Sequence, residues 1–155
     1  MKKTVIVKVE QRRAAVMMKR ILVHFRSQMD EQLRPEGVTT AQLQVLKTIR
    51  EGAGLSGAQL ARSCYITPQS AQALLKGLEE DGWITRFKDR ENDRILIAQL
   101  TPSGERLLRK AEKLVRVIEK RLWTGVAGSD LGQLNAVLEQ CLGNLDGDSS
   151  TGRAS

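Results

Sequence analysis

Reactive side chains are scarce in this sequence, and this limits the chemistry that it can perform. There is one histidine, His24, and the two cysteines, Cys64 and Cys141, lie far apart along the chain. The set is too small for the usual four-ligand zinc site, and there is no glycine-rich phosphate-binding loop. We therefore expect no enzyme activity, no metal and no cofactor, and we expect each cysteine to be a small buried residue in a reducing compartment.

The segment that begins at Thr67-Pro68 suggests nucleic-acid binding instead. A capping hydroxyl followed by proline predicts the start of a helix, and short polar side chains follow on the face opposite to its apolar residues. The amides of Gln69 and Gln72 can pair with base edges, whereas the charge of Lys76 suits a phosphate. The expected DNA contacts on this helix are Thr67, Pro68, Gln69, Ser70, Gln72, Ala73 and Lys76.

A second set of basic residues lies in the stretch from Asp89 to Arg94, which contains no apolar residue. The flanking runs, 83–88 and 95–100, are rich in β-branched and aromatic residues and predict a β-hairpin. The tip must then lie in solvent or against a charged partner, where Arg90 and Arg94 could enter a minor groove or bind phosphates. The alternative, that these side chains are ordinary surface, stays open at this point.

Helical segments surround this block and must position it. Capping boxes at Thr39/Gln42 and Ser56/Gln59 predict helix starts, and the helices 56–63 and 67–80 form a helix-turn-helix. Longer apolar stripes predict helices over about 9–33, 102–122 and 129–145. The predicted fold is mostly α with a small β-hairpin wing: a winged helix-turn-helix lobe over about 39–101 plus a helical dimerisation region, within a single domain over 9–145.

Charge is concentrated at the N-terminus. The chain has 25 Lys and Arg against 18 Asp and Glu, a net charge of +7, and residues 1–26 hold eight of the basic residues and one acid. A basic arm, 1–8, would be attracted to a polyanion, although a solvated helix face without a partner explains it nearly as well. No apolar run suits a membrane span or a signal peptide, so we expect a cytoplasmic protein without a membrane partner. The tail, 146–155, has a disordered composition.

The central run ITPQSAQALLKGLEEDGWITRFKDRENDRILIAQLTPSGERLL resembles the MarR family of bacterial and archaeal regulators. Helix, Asp-Gly turn, Arg-containing strand, charged tip and Leu-Thr-x-x-Gly follow in the family's order. The family's wing is typically D-x-x-D-R-R, and Asp89 and Arg94 match its first and last positions. Asn92 and Asp93 depart from the pattern, which leaves Asp89 or Asp93 as the wing support that pairs with Arg94.

The resemblance implies a dimer built from the first and the last two helices, with a ligand pocket between that region and each winged-helix lobe. Such regulators typically repress transcription until a small phenolic or anionic ligand releases the DNA. For an aromatic acid, the candidate pocket residues are Arg20, His24 and Trp83, since a cation beside an aromatic wall suits such a ligand. The apolar seam expected to form the dimer comprises Leu131, Leu134, Leu138 and Leu145.

Two functions of different classes follow. The first is a sequence-specific transcriptional regulator, a ligand-responsive repressor that binds a near-palindromic operator as a homodimer. The second is a winged-helix architectural or protein-interaction module that binds nucleic acid without sequence choice. The base-edge candidates on the helix 67–80 favour the first.

Overall fold

The computed structural model describes residues 2–52 and 54–148, which form six α-helices and a two-stranded antiparallel sheet. In chain order the elements are α1 (Lys2–Leu33), a turn of 3-10 helix (Arg34–Glu36), α2 (Thr40–Glu51), α3 (Gly57–Ser63), α4 (Pro68–Glu80), β1 (Ile84–Lys88), β2 (Leu96–Leu100), α5 (Pro102–Leu122) and α6 (Gly128–Asp148). The strands pair from Ile84 opposite Leu100 to Lys88 opposite Leu96. The predicted fold class, helices with a β-hairpin wing, is confirmed.

The first helix begins earlier, and the last helix ends later, than the sequence predicted. Helix α1 begins at Lys2, so the basic arm that we set apart as 1–8 belongs to its first turns. Helix α6 continues to Asp148, and the first residues of the predicted disordered tail are therefore helical. The remainder of that tail, 149–155, lies outside the described residues.

The predicted helix starts are confirmed by their caps. The Thr39 hydroxyl accepts the N–H of Gln42 at 3.2 Å, while the Gln42 side chain accepts the N–H of Thr39 at 2.9 Å. Ser56 and Gln59 form the same reciprocal pair at the start of α3. Such caps satisfy backbone donors that have no partner within the helix, and they therefore determine where each helix begins.

The chain divides into two compact units, 1–118 and 119–155, with the boundary inside α5. The first unit holds a continuous hydrophobic core to which the end of α1, helices α2 to α5 and both strands contribute. Its buried members are Met29, Leu33, Val38, Leu43, Val45, Leu46, Ile49, Leu60, Leu75, Leu78, Ile84, Ala98, Leu108, Ala111 and Ile118. This core fixes the helix-turn-helix and the hairpin in one body.

Helix α1 is packed along only part of its length. Met29 and Leu33 are buried and Phe25 is half-buried, whereas Met18 and Leu22, on the same apolar stripe, are exposed. The stripe thus splits into a part that joins the core and a part that contacts water in the single chain. Exposed apolar area of this extent is typical of a surface that binds another protein.

Candidate nucleic-acid interface

Helices α3 and α4 are joined by a tight turn, which makes the predicted helix-turn-helix. The N–H of Tyr65 donates to the carbonyl of Arg62 at 3.1 Å, and that of Ile66 donates to the carbonyl of Ala61 at 3.0 Å. Leu60 and Ala61 of α3 are buried, as are Ala71 and Leu75 of α4. The two helices are therefore fixed relative to each other, and the polar face of α4 is presented to solvent.

The hydroxyl groups of Thr67 and Ser70 stabilise the start of α4. Thr67 accepts the N–H of Ser70 at 3.1 Å and donates to the Ser70 hydroxyl at 2.8 Å. Because the Ser70 oxygen accepts this bond, its own hydrogen stays available for DNA. Pro68 is exposed at the first helical position.

The remaining predicted DNA contacts on α4 are all exposed, but their surroundings differ. The amide nitrogen of Gln72 lies over the start of α3, where a Cβ atom at Gly57 would be 2.5 Å away from it. Nζ of Lys76 lies 3.8 Å from Oε1 of Glu80, and both side chains are mostly exposed. This ion pair is therefore weak, and a DNA phosphate can replace Glu80 as the partner of Lys76. Gln69 and Ala73 complete the exposed face.

The wing tip is held by bonds of its own backbone. Asp89 accepts the N–H of Arg90 at 2.9 Å through its carboxylate, and the side-chain oxygen of Asn92 accepts the N–H of Arg94 at 3.1 Å. Within the described residues, neither Asp89 nor Asp93 forms an ion pair with Arg94. The predicted pairing of Arg94 with Asp89 or Asp93 is thus not formed here, and the Asp89 carboxylate and the Asn92 side-chain oxygen instead accept backbone N–H groups of the turn. Both wing arginines keep their charge exposed.

An ion pair braces the hairpin against the helix that is expected to read DNA. Arg86 of β1 donates to Glu79 of α4 with Nε 2.8 Å from Oε2. The hydrogen bonds from Arg86 lower the pKa of the Glu79 carboxyl below its ordinary value. The other side of the hairpin is joined to α5, since the Thr101 hydroxyl caps α5 at Gly104 and donates to the carbonyl of Gly82 at 2.7 Å.

Tyr65 and Asn92 belong to this surface but were missed by the sequence reasoning. Asn92 could have been recognised as a turn residue, since an asparagine oxygen often accepts a backbone N–H two residues further on. Tyr65 has a positive φ of 54° and a side chain that is 90% exposed. Its position between two helices was the available signal, because tight helix-turn-helix connections often contain glycine.

The candidate effector residues line neither of two cavities described in the first unit. Arg20 and His24 are exposed on α1, and Trp83 packs against the hydrophobic core. A cavity of about 560 Å³ lies between α2, the hairpin and α5, and its wall includes Arg50, Phe87 and Arg90. Another, of about 570 Å³, lies where α1 meets α2. None of the three predicted residues lines either cavity, so grouping them as one site is not supported in the single chain.

The predicted dimer seam lies on α6, in the second unit. Leu131 and Leu138 are half-buried, whereas Leu134 and Leu145 are exposed. Cys141 on the same helix is exposed, which contradicts the prediction of burial, while Cys64 is half-buried with its sulfur 3.3 Å from the Thr48 hydroxyl. No helix of the described residues is both long and apolar enough to cross a membrane.

Comparison with known proteins agrees with this geometry. Residues 36–95 match a model of the MarR family. The HTH-type transcriptional repressor Rv2887 of Mycobacterium tuberculosis is 30% identical over 115 residues, which cover 74% of this chain and 83% of the relative.

Solved structures show the same fold. The Mycobacterium tuberculosis Rv2887 structure with salicylic acid has a TM-score of 0.64 at 29% identity, and the match covers 81% of this chain and 93% of that one. A regulator from Rhodococcus sp. RHA1 has a TM-score of 0.75 at 22% identity, with coverage of 84% and 93%. The chain therefore belongs to the MarR family of winged helix-turn-helix transcriptional regulators.

Proposed function

We propose that this regulator is a repressor that binds a near-palindromic operator as a homodimer and leaves it when a small aromatic acid binds. The observation that carries DNA binding is the exposed polar start of α4 beside a wing whose two arginines have no ion-pair partner among the described residues. A regulator of this kind acts in the cytoplasm, where the chromosome lies, and needs no catalytic group.

Positioning and sequence reading are assigned to different side chains. Lys76, Arg90 and Arg94 supply affinity, because a cation neutralises a phosphate or enters a minor groove whatever the base sequence. Gln69 supplies sequence choice, because its amide can donate to and accept from adenine together. Gln72 shares this role, because its exposed side chain ends in the same amide, which lies close to Gly57 at the start of α3.

The homodimer is supported by apolar surface that the single chain leaves in water. Exposed apolar residues occur along α1 from Val5 to Val23 and on α6 at Leu134 and Leu145. Both helices belong to the region through which the family resemblance implies dimerisation. A two-fold dimer places its two copies of α4 about one DNA turn apart and so selects a near-palindromic site.

An aromatic acid is proposed as the effector because the Rv2887 relative was solved with salicylic acid. Arg20 remains the candidate cation and His24 a candidate hydrogen-bond donor, since both are exposed on α1 and accessible to an anion. If salicylate at millimolar concentration leaves the DNA complex intact, the effector part of this proposal fails.

The experiment compares binding of two duplexes by matched variants. One duplex is enriched by the wild-type protein from a random-sequence library, and the other is an unrelated duplex of equal length. Lys76→Ala should weaken binding to both and reduce the slope of log K against log salt by about one, whereas Gln69→Ala should cost about 1–3 kcal/mol on the enriched duplex alone. Lys113→Ala, at an exposed lysine of α5, is the charge-matched control.

These measurements also separate the two classes of function. A sequence-blind architectural module would enrich no preferred duplex and would bind both probes alike. If Gln69→Ala instead lowers the affinity for both duplexes equally, Gln69 does not read the base sequence and its assignment is wrong.

A further inference from the structure

The turn between α3 and α4 carries an aromatic side chain that the fold does not use. Tyr65 is 90% exposed, the highest value among the exposed large hydrophobic residues that the structure describes. A tyrosine that contributes to stability buries its ring and leaves only the hydroxyl near water. The Tyr65 side chain therefore adds almost nothing to the core.

The backbone conformation at position 65 is also unfavourable for a tyrosine, so the stability of the fold does not explain why this residue is there. Its φ of 54° lies in the left-handed region, and it is the only non-glycine residue with positive φ in the described parts of the chain. A residue with a Cβ atom is strained there, and glycine is not. A strained residue that is also unburied is a candidate for a functional role.

The position of Tyr65 next to the start of α4 indicates a role in DNA binding. Tyr65 lies two residues before Thr67, the cap of α4, and its N–H is bonded to the carbonyl of Arg62. Two residues span about 7 Å at most, so the Tyr65 backbone lies close to the helix start that would enter the major groove. The Arg62 side chain, in the last turn of α3, is exposed and has no ion-pair partner among the described residues.

We propose that the Tyr65 hydroxyl donates a hydrogen bond to a DNA phosphate next to the groove that α4 enters, with Arg62 as the charged partner in the same contact. This inference rests on the proposed DNA-binding function. Phosphate contacts of tyrosine and arginine position a protein on the duplex without reading its sequence. The turn thereby sets the position from which Gln69 reaches the bases.

The test uses the full chain and the two duplexes described above. Tyr65→Phe keeps the ring and removes only the hydroxyl, so it should weaken binding about tenfold on both duplexes and leave the salt slope unchanged, because no charge is lost. Arg62→Ala should also weaken both but reduce that slope by about one. Ser27→Ala, which removes an exposed hydroxyl on α1, should change neither quantity.

Tyr65→Gly separates function from folding. Glycine relieves the strain at φ 54°, so the urea midpoint at fixed protein concentration should be unchanged or higher while DNA affinity falls as in Tyr65→Phe. A lower midpoint would overturn the inference by showing a structural role, and wild-type affinity in Tyr65→Phe would overturn it directly. A wild-type protein that enriches no duplex contradicts the proposed function instead.

Discussion

Replacing Gly104 by alanine should destabilise the protein through one identifiable contact. Gly104 lies in the first turn of α5, and a Cβ atom there would be 2.0 Å from the carbonyl oxygen of Trp83 and 3.3 Å from Cδ2 of Leu100. The Trp83 carbonyl also accepts the N–H of Thr101 at 3.0 Å. The backbone at Trp83 cannot move away from α5 without breaking this hydrogen bond, which joins the hairpin to α5.

The magnitude follows from three opposing contributions. Overpacking against backbone costs about 1–3 kcal/mol, loss of the Thr101 bond costs about 1 kcal/mol, and alanine regains about 1 kcal/mol of helix propensity over glycine. Because the clash is with rigid backbone, we expect Gly104→Ala to lower the free energy of unfolding by about 3 kcal/mol, near the upper end of this range.

Gly77 of α4 is the matched control. The nearest atom to a Cβ there is Nε2 of Gln42 at 3.8 Å, an ordinary contact. Gly77→Ala should therefore raise the free energy of unfolding by about 0.5–1 kcal/mol. Urea unfolding of both variants at one protein concentration checks the pair, and a change of the same sign in both would refute the reasoning.

Three further predictions concern pH, assembly and the wing. Hydrogen bonds from Arg50 lower the pKa of Glu112 below 4.5, so this ion pair stabilises the fold above that pH and loses its effect as the pH falls through the lowered pKa. Glu112→Gln should accordingly flatten the dependence of urea stability on pH at acidic pH, below the ordinary pKa of a glutamate carboxyl, and an unchanged dependence would show that this pair does not stabilise the fold. Leu134→Asp combined with Leu145→Asp should convert the dimer to a monomer in sedimentation; a persistent dimer would place the interface elsewhere. Arg94→Ala should weaken binding to every duplex and reduce the salt slope by about one, and an unchanged slope would remove the wing from the DNA contact.

The order of the elements and the starts of α2, α3 and α4 could be predicted from local sequence patterns, whereas the start of α1 could not. A helix start is written in three or four neighbouring residues, as at Thr39–Gln42, Ser56–Gln59 and Thr67-Pro68, and all three caps are present. The hairpin was predicted for the same reason, since alternation and turn residues are local signals. The family motif then extended this local pattern to a function.

Which side chains meet across the fold depends on packing, which local sequence patterns do not encode. The Arg86–Glu79 pair needs the hairpin folded against α4, and the contact of Gln72 with Gly57 needs the two helices packed. The Arg50–Glu112 pair likewise needs α2 and α5 packed side by side. Local patterns specify backbone conformation over a few residues, whereas partners far apart in sequence are selected by packing and by competition among hydrogen bonds.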